Sequence, residues 1–447
     1  MTEAVSKERT RNYLRQIKGA VIYRSVAMLA SFLAIPLMIH YLGQDQYGVW
    51  STLLTVMTWM VFFDLGVGNG LRNKVSEALA KEETKEAAAY ISSAYTLIGL
   101  ISLAIWAIST VASYFIPWQV VFNTEAISEL ALRETFQIAV FFVVLNFWIG
   151  LISALLSAVQ KTALVAFGQL VTNLLMLVFV YFLTRATNPS ITKLAITYGV
   201  SILTANIAIS LLFYRGHREL RPQLIFDKNH LGPLLNLGLQ FFSIQFAVLI
   251  IFTTDKMLIT QLFGPQYIAQ YDVLFKIFSL VNFAHALIST PLWSAYTDSY
   301  HRGDLRWIRR MLRHQLIIFT IICASVILIA LASKSLINIW IGNDFDIAND
   351  LILAMGILTI VSAWNNVFGT IVGGIGKLRL GSIYTMITAA INLPISYYLA
   401  INFELGISGV VFGSVLSIMV SSIISPIQVY YFVYCKNRSS KLNAWLR

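Results

Sequence analysis

The sequence predicts an all-α polytopic membrane protein of about twelve transmembrane helices, arranged as two six-helix bundles related by pseudo-two-fold symmetry. Three observations predict it. Only 12% of the 447 residues are charged and 57% are hydrophobic, whereas soluble domains are about 25% charged, so a water-facing surface cannot be covered. Apolar runs of bilayer-crossing length recur along the whole chain. The basic residues collect in every second connection between those runs.

A hydrocarbon core of about 30 Å needs about 20 apolar residues per helix. Such runs lie near 17–40, 48–71, 88–115, 135–159, 163–184 and 194–214. A second set lies near 233–263, 271–297, 314–334, 351–372, 381–402 and 407–434. The basic connection 215–232 separates an N-terminal lobe, 1–214, from a C-terminal lobe, 233–447. Backbone groups in lipid must bond internally, so runs this long and apolar are helices. The first run is too long for the core of a signal peptide, and no small-x-small cleavage site follows it. It is expected to be an uncleaved anchor.

Charge gives the orientation. With the N-terminus inside, both tails and the even-numbered connections hold 25 of the 32 Lys and Arg, and the six outer connections hold 4. This is the positive-inside pattern, and it places both termini in the cytoplasm. It also accounts for the net charge of +11 without nucleic acid, for which no motif is present. Cys323 and Cys435 sit on different segments, so a disulfide is not expected. No metal-ligand spacing and no cofactor motif occurs.

The two halves echo each other. "YLGQDQYGVW" (41–50) joins runs 1 and 2, and "LFGPQYIAQY" (262–271) joins runs 7 and 8, with Gly264 lying 221 residues after Gly43. "SAVQKTALVAFG" (157–168) aligns with "GGIGKLRLGSIY" (373–384), placing Lys161 on Lys377 at an offset of 216. Six runs per half give both halves the same orientation. Their relating axis is therefore along the membrane normal, with the path between them.

"YLGQDQYGVW" together with "DLGVGNGLRNKV" resembles the start of a Wzx-type polysaccharide repeat-unit flippase of the multidrug/oligosaccharidyl-lipid/polysaccharide (MOP) exporter superfamily. The likeness continues through "GGIGKLRLGSIYTMITAAINLPISYYL" and "FELGISGVVFG". The resemblance implies a V-shaped pair of bundles with alternating access and no catalysis. Its implied cargo is an undecaprenyl-diphosphate-type lipid-linked oligosaccharide carried to the outer leaflet. Membrane lipids, H+ or Na+ and other polysaccharide-assembly proteins are the implied partners.

A charge at a helix centre costs about 2.5–3.5 kcal/mol on insertion scales, so each one is a candidate site residue. Arg24 lies about twenty residues before the first hairpin turn and Asp64 about twenty after it, which puts them at one depth. The pair either fixes packing or serves the cargo, with Arg24 on the diphosphate and Asp64 tuning it or exchanging an ion. Alternatively, Arg24 snorkels to the inner headgroups. The glycines after Asp64 (Gly66, Gly68 and Gly70) permit a bend or a close helix contact. In the second half, a turn near residue 266 puts Asp255 and Lys276 at one depth and leaves Lys256 without an obvious partner.

Lys256 and Lys276 join Arg24 as candidates for an anionic cargo, with Asp272 completing a possible structural salt-bridge network. Asp255, Asp64 and His285 are candidates for ion coupling; His285 falls on Asp64 at the repeat offset. Asn146, Asn173, Asn282, Asn365, Asn366 and Asn392 bond either sugar hydroxyls or other helices. Trp59, Trp293 and Trp364 are placed to stack on sugars, while Trp50, Trp118 and Trp340 are expected in interfacial belts. A drug antiporter of the same superfamily would favour an acidic cavity. A polysaccharide polymerase or ligase would need a large outer loop or a carboxylate cluster. The acidic "IGNDFDIAND" (341–350) is short and is expected to cap the helix after it.

Overall fold

The computed structural model describes residues 3–61, 66–223, 230–232, 234, 253–342, 345–376 and 378–435. Helices α1 (Glu3–Val61), α2 (Val67–Ala80), α3 (Thr84–Ala112), α4 (Trp118–Phe122), α5 (Glu129–Ile149), α6 (Ile152–Ala158), α7 (Thr162–Ala186) and α8 (Ile191–Gly216) come first. Then follow α9 (residues 253–263), α10 (Gln266–His301), α11 (Leu305–Trp340), α12 (Asn349–Ile375), α13 (Leu378–Ile401) and α14 (Gly406–Tyr430). No strand occurs among the described residues.

Ten helical stretches among the described residues are long and apolar enough to cross a membrane. The first, Lys18–Met60, is 43 residues long, about twice what one crossing needs. It holds two passes, separated by Gly43 at φ 74° and ψ 170°. The seventh expected pass, 233–263, falls mostly outside the described residues. The chain is a multi-pass α-helical membrane protein.

It divides into two compact units, Met1–Gln245 and Phe246–Arg447. The described part of the connecting segment packs into the first unit. Leu220 and Leu234 are buried in its core, Gln223 N donates to Ser92 Oγ at 3.1 Å, and His230 Nε2 lies 3.2 Å from Glu86 Oε1.

The internal repeat is written into both cores. In the first unit Val75, Ala87 and Ile91 are core residues; 221 positions on, Tyr296, Ile308 and Leu312 are core residues of the second. Ile152, Leu155 and Phe213 likewise fall on Phe368, Ile371 and Val429 at 216. Backbone turns repeat too. Gly43 and Gly264 both have positive φ, as do Glu82 and Gly303 at the first offset, and Gln160 and Gly376 at the second.

Local structure departs from the expected spans in four places. The expected second span, 48–71, is broken at Gly66, whose left-handed backbone (φ 74°) precedes α2. Helix α2 is amphipathic, burying Val67, Leu71, Val75 and Ala78, a spacing that marks one helical face. Gly70 permits a close approach, since a Cβ there would sit 2.5 Å from the Leu234 carbonyl oxygen. Both readings of the glycine ladder therefore hold, at different glycines. The matching stretch of the second unit, around His285, lies inside the continuous helix α10.

Helix α11 begins nine residues before the expected apolar run, because Asp304 Oδ1 accepts from Trp307 N at 3.0 Å and caps it. Among the described residues no aspartate side chain caps α12, whose N-cap is Ala348; Asp350 instead accepts from Ser408 Oγ at 2.6 Å and ties α12 to α14. Trp50 and Trp118 are buried rather than interfacial. Trp118 Nε1 donates to Ser113 O at 2.9 Å, and Trp50 packs edge-on against Tyr198.

Candidate functional site

Among the described residues, a group of ionisable side chains lies in the second unit, where α9 and α10 meet. Lys256 Nζ is 2.7 Å from Asp272 Oδ1. This corrects the expectation that Lys256 lacks a partner and that Asp255 lies level with Lys276. The hairpin reverses at Gly264 rather than near residue 266, so residues 256 and 272, each eight positions from it, reach the same depth. Lys276, one turn beyond Asp272 on α10, sits within electrostatic range of Asp272 and Lys256.

Asp255 points to the other side of α9 and is 2% exposed. Its carboxylate is held by hydroxyls. Ser414 Oγ of α14 lies 2.8 and 3.0 Å from its two oxygens, and Tyr271 Oη donates to Oδ2 at 3.3 Å. Asn392 Nδ2 donates to Ser414 Oγ at 2.9 Å, and Thr254 Oγ1 donates to Asn392 Oδ1 at 3.0 Å. Four helices thus converge on one carboxylate through oxygen and amide groups alone. Such a set can hold a proton or a hard cation, for which oxygen ligands are preferred.

His285 is also buried. Its Nε2 lies 3.2 Å from Gln315 Oε1 of α11, and its Nδ1 has no hydrogen-bond partner among the described residues.

In the first unit Arg24 is exposed on α1. Asp64 lies outside the described residues, and so does the geometry of the expected Arg24–Asp64 pair. Trp59 is half-buried near the end of α1. Asn146 accepts from Asn206 Nδ2 and lines a cavity of about 220 Å³ with residues of α1, α5 and α8.

The second unit has a cavity of about 410 Å³ between α10 and α12. The two cavities occupy equivalent places in the repeat. Leu54, Met57 and Thr58 of the first fall on Phe275, Phe278 and Ser279 of the second at 221. Phe142, Val143 and Asn146 fall on Leu358, Thr359 and Ser362 at 216. What the larger cavity adds is polar: Asn282, Asn365 and Asn366 stand where the first unit has Val61, Ile149 and Gly150. This match was not found from sequence; the two offsets, applied to run centres rather than hairpins, contained the signal.

Several polar and aromatic candidates make packing contacts. Asn173 donates to Ala27 O at 2.8 Å. Asn365 Nδ2 donates to Ser422 Oγ at 2.7 Å. Trp364 Nε1 donates to Ser422 O at 2.9 Å, and its ring packs on Phe319 and Phe368. Trp293 covers Gly373, where a Cβ would meet its ring at 2.1 Å. Cys323 is a free thiol.

Residues 18–296 match a family model described as polysaccharide biosynthesis protein. A Salmonella typhimurium protein named for O-antigen transport is 24% identical over 394 residues, covering 86% of this chain and 88% of that protein. A Yersinia pseudotuberculosis protein named for O-antigen export is 21% identical over 411 residues, covering 89% and 91%. Among solved structures, an inward-facing multidrug resistance transporter of the MATE family, in the MOP superfamily, gives a TM-score of 0.77 at 15% identity, covering 94% of this chain and 99% of that one. A MOP superfamily transporter from Pyrococcus furiosus, described by the reversed polarity of its binding pocket, gives 0.64 at 16% identity, covering 96% of each. At these identities the structural likeness establishes the fold.

Proposed function

Because the chain belongs to the polysaccharide biosynthesis protein family, we propose that it is a flippase for a polyprenyl-diphosphate-linked oligosaccharide of the O-antigen repeat-unit class. It moves this cargo from the cytoplasmic to the outer leaflet of a bacterial inner membrane by alternating access, with both termini cytoplasmic. It is a carrier rather than an enzyme. The observation that carries the reading is the likeness to O-antigen transport proteins along nearly nine-tenths of the chain.

The site chemistry supports it. Lys256 and Lys276 place two cations around one carboxylate, Asp272, inside a hydrophobic span, an arrangement that favours an anionic headgroup such as a diphosphate. Arg24 is the third cation for that role. Asn146 and Trp59 meet the sugars from the first unit. Asp255, in its all-hydroxyl pocket, is the main ion-coupling group, with His285 and Asp64 as the others, and H+ or Na+ as the ion. The cargo lipid is of the undecaprenyl-diphosphate type, handed over among other polysaccharide-assembly proteins.

Deletion in the source organism tests the reading. The lipid-linked oligosaccharide is expected to accumulate in the inner leaflet, with restoration by the wild-type gene. Unchanged outer-leaflet appearance in the deletion strain, with no second carrier induced, contradicts it.

A further inference from the structure

The 410 Å³ cavity between α10 and α12 is of a size that takes a small organic ligand. Its lining carries no ionisable side chain. Phe275 and Phe278 give it apolar walls, and Ser279, Asn282, Ser362 and Asn366 give it polar ones.

The asparagines of this protein's spans allow a comparison. Asn146, Asn173, Asn365 and Asn392 each engage another helix through a side-chain hydrogen bond, as packing would require. Asn282 makes no hydrogen bond among the described residues, and neither does Ser362. Asn366 uses its carbonyl oxygen for Thr370 and keeps its amide donors. Asn282 and Ser362 are only half-buried, so water reaches them when the cavity is empty, and a ligand that enters must replace those hydrogen bonds.

The occupant must be uncharged, since nothing here would pair with an ion. It must offer donors and acceptors together, because a carboxamide has two donors and one acceptor and a hydroxyl has both. It must also present an apolar face to the phenylalanines. A pyranose ring, with hydroxyl or acetamido groups at its rim and C–H bonds on its face, has these properties. We infer that this cavity is a saccharide subsite: Asn282 and Ser362 hydrogen-bond one sugar of the cargo while Phe275 and Phe278 cover its face.

The inference rests on the flippase reading and adds to it. Asn282 lies about 9 Å along α10 from Lys276 at the ordinary helical rise, so one helix carries both the cation for the diphosphate and the polar group for a nearby sugar. The first unit's equivalent cavity lacks all three asparagines and is about half the volume. The second unit therefore adds polar groups for one sugar beyond what the first unit's Asn146 offers.

The test uses the purified full-length protein in detergent and two probes: undecaprenyl-diphosphate-linked oligosaccharide extracted from the source organism, and undecaprenyl diphosphate alone. Wild type is expected to bind the oligosaccharide form more tightly. Asn282→Leu with Ser362→Ala should weaken that binding by about tenfold or more, the scale expected when polar groups that read a ligand are lost. Binding of undecaprenyl diphosphate should change less than about twofold. Equal affinities for the two probes in wild type overturn the subsite, as does a variant that keeps the wild-type preference or loses both probes equally. If wild type binds neither probe, the flippase reading fails with it. Should the double variant melt early, Ser362→Ala alone decides: a narrowed preference supports the subsite and an unchanged one removes it.

Discussion

Lys256 and Asp272 meet at 2.7 Å across a hairpin whose reversal, Gly264, lies midway between them in sequence. Their side chains are 23% and 9% exposed, so the pair is neither a solvated surface bridge nor a sealed one. Removing one partner of a buried pair costs roughly 3–5 kcal/mol, and partial exposure lowers that to about 1–3 kcal/mol. Asp272→Asn should lower the melting temperature in detergent, and adding Lys256→Met should restore much of it. Transport should not return in the double variant if Lys256 also meets the cargo. Recovery of both would make the pair structural only.

Asp255→Asn removes a charge but keeps a side chain that Ser414 and Tyr271 can still bond. Interhelical hydrogen bonds in membrane proteins average about 0.6 kcal/mol, so stability should change little. Flux should lose its response to an imposed proton or sodium gradient. A variant that still follows the gradient removes Asp255 from coupling.

Three glycine-to-alanine changes separate packing from backbone geometry. At Gly413 a Cβ would sit 2.3 Å from Ser396 Cα across the α13–α14 contact; overpacking of this kind costs about 1–3 kcal/mol. At Gly43 nothing lies within 4 Å, but φ is +74°, which costs an L-residue about 1–2 kcal/mol. At Gly369 there is open space inside a helix, where alanine gains up to about 1 kcal/mol. Thermal melting should rank Gly369→Ala above wild type and place Gly43→Ala and Gly413→Ala below it.

Arg24 is exposed within a transmembrane stretch. If it meets a phosphate, charge matters more than shape, and Arg24→Lys should keep more flux than Arg24→Ala at equal protein levels. Full activity in Arg24→Ala takes the residue out of the site.

Much of this architecture was legible from residue order because lipid imposes long helices and charge asymmetry imposes their direction. Hairpin glycines and the Lys161–Lys377 match carried the repeat, and the cores then obeyed both offsets. Pairing inside the membrane was harder to read. Placing the second turn two residues late leaves Lys256 without its partner Asp272 and sets Asp255 level with Lys276, since one residue rotates a side chain by about 100°. The break at Gly66 is hidden by hydrophobic residues on both sides, although the 67, 71, 75, 78 spacing of α2 marks a separate amphipathic helix. Buried Trp50 and Trp118 were read as interfacial because composition alone does not reveal which side of a helix meets protein. The polar cavity around Asn282 needs two distant helices to be placed together before it exists.

Translocation in a purified system tests the central claim most directly. The full-length protein is reconstituted into liposomes carrying a fluorescently labelled undecaprenyl-diphosphate-linked oligosaccharide, and a membrane-impermeant quencher reports which leaflet holds the sugar. A protein-dependent exchange of labelled sugar between leaflets, several times faster than in protein-free vesicles and slowed by Asn282→Leu, is the predicted result. Exchange at the protein-free rate, from a preparation that is folded and binds the same lipid, contradicts the account.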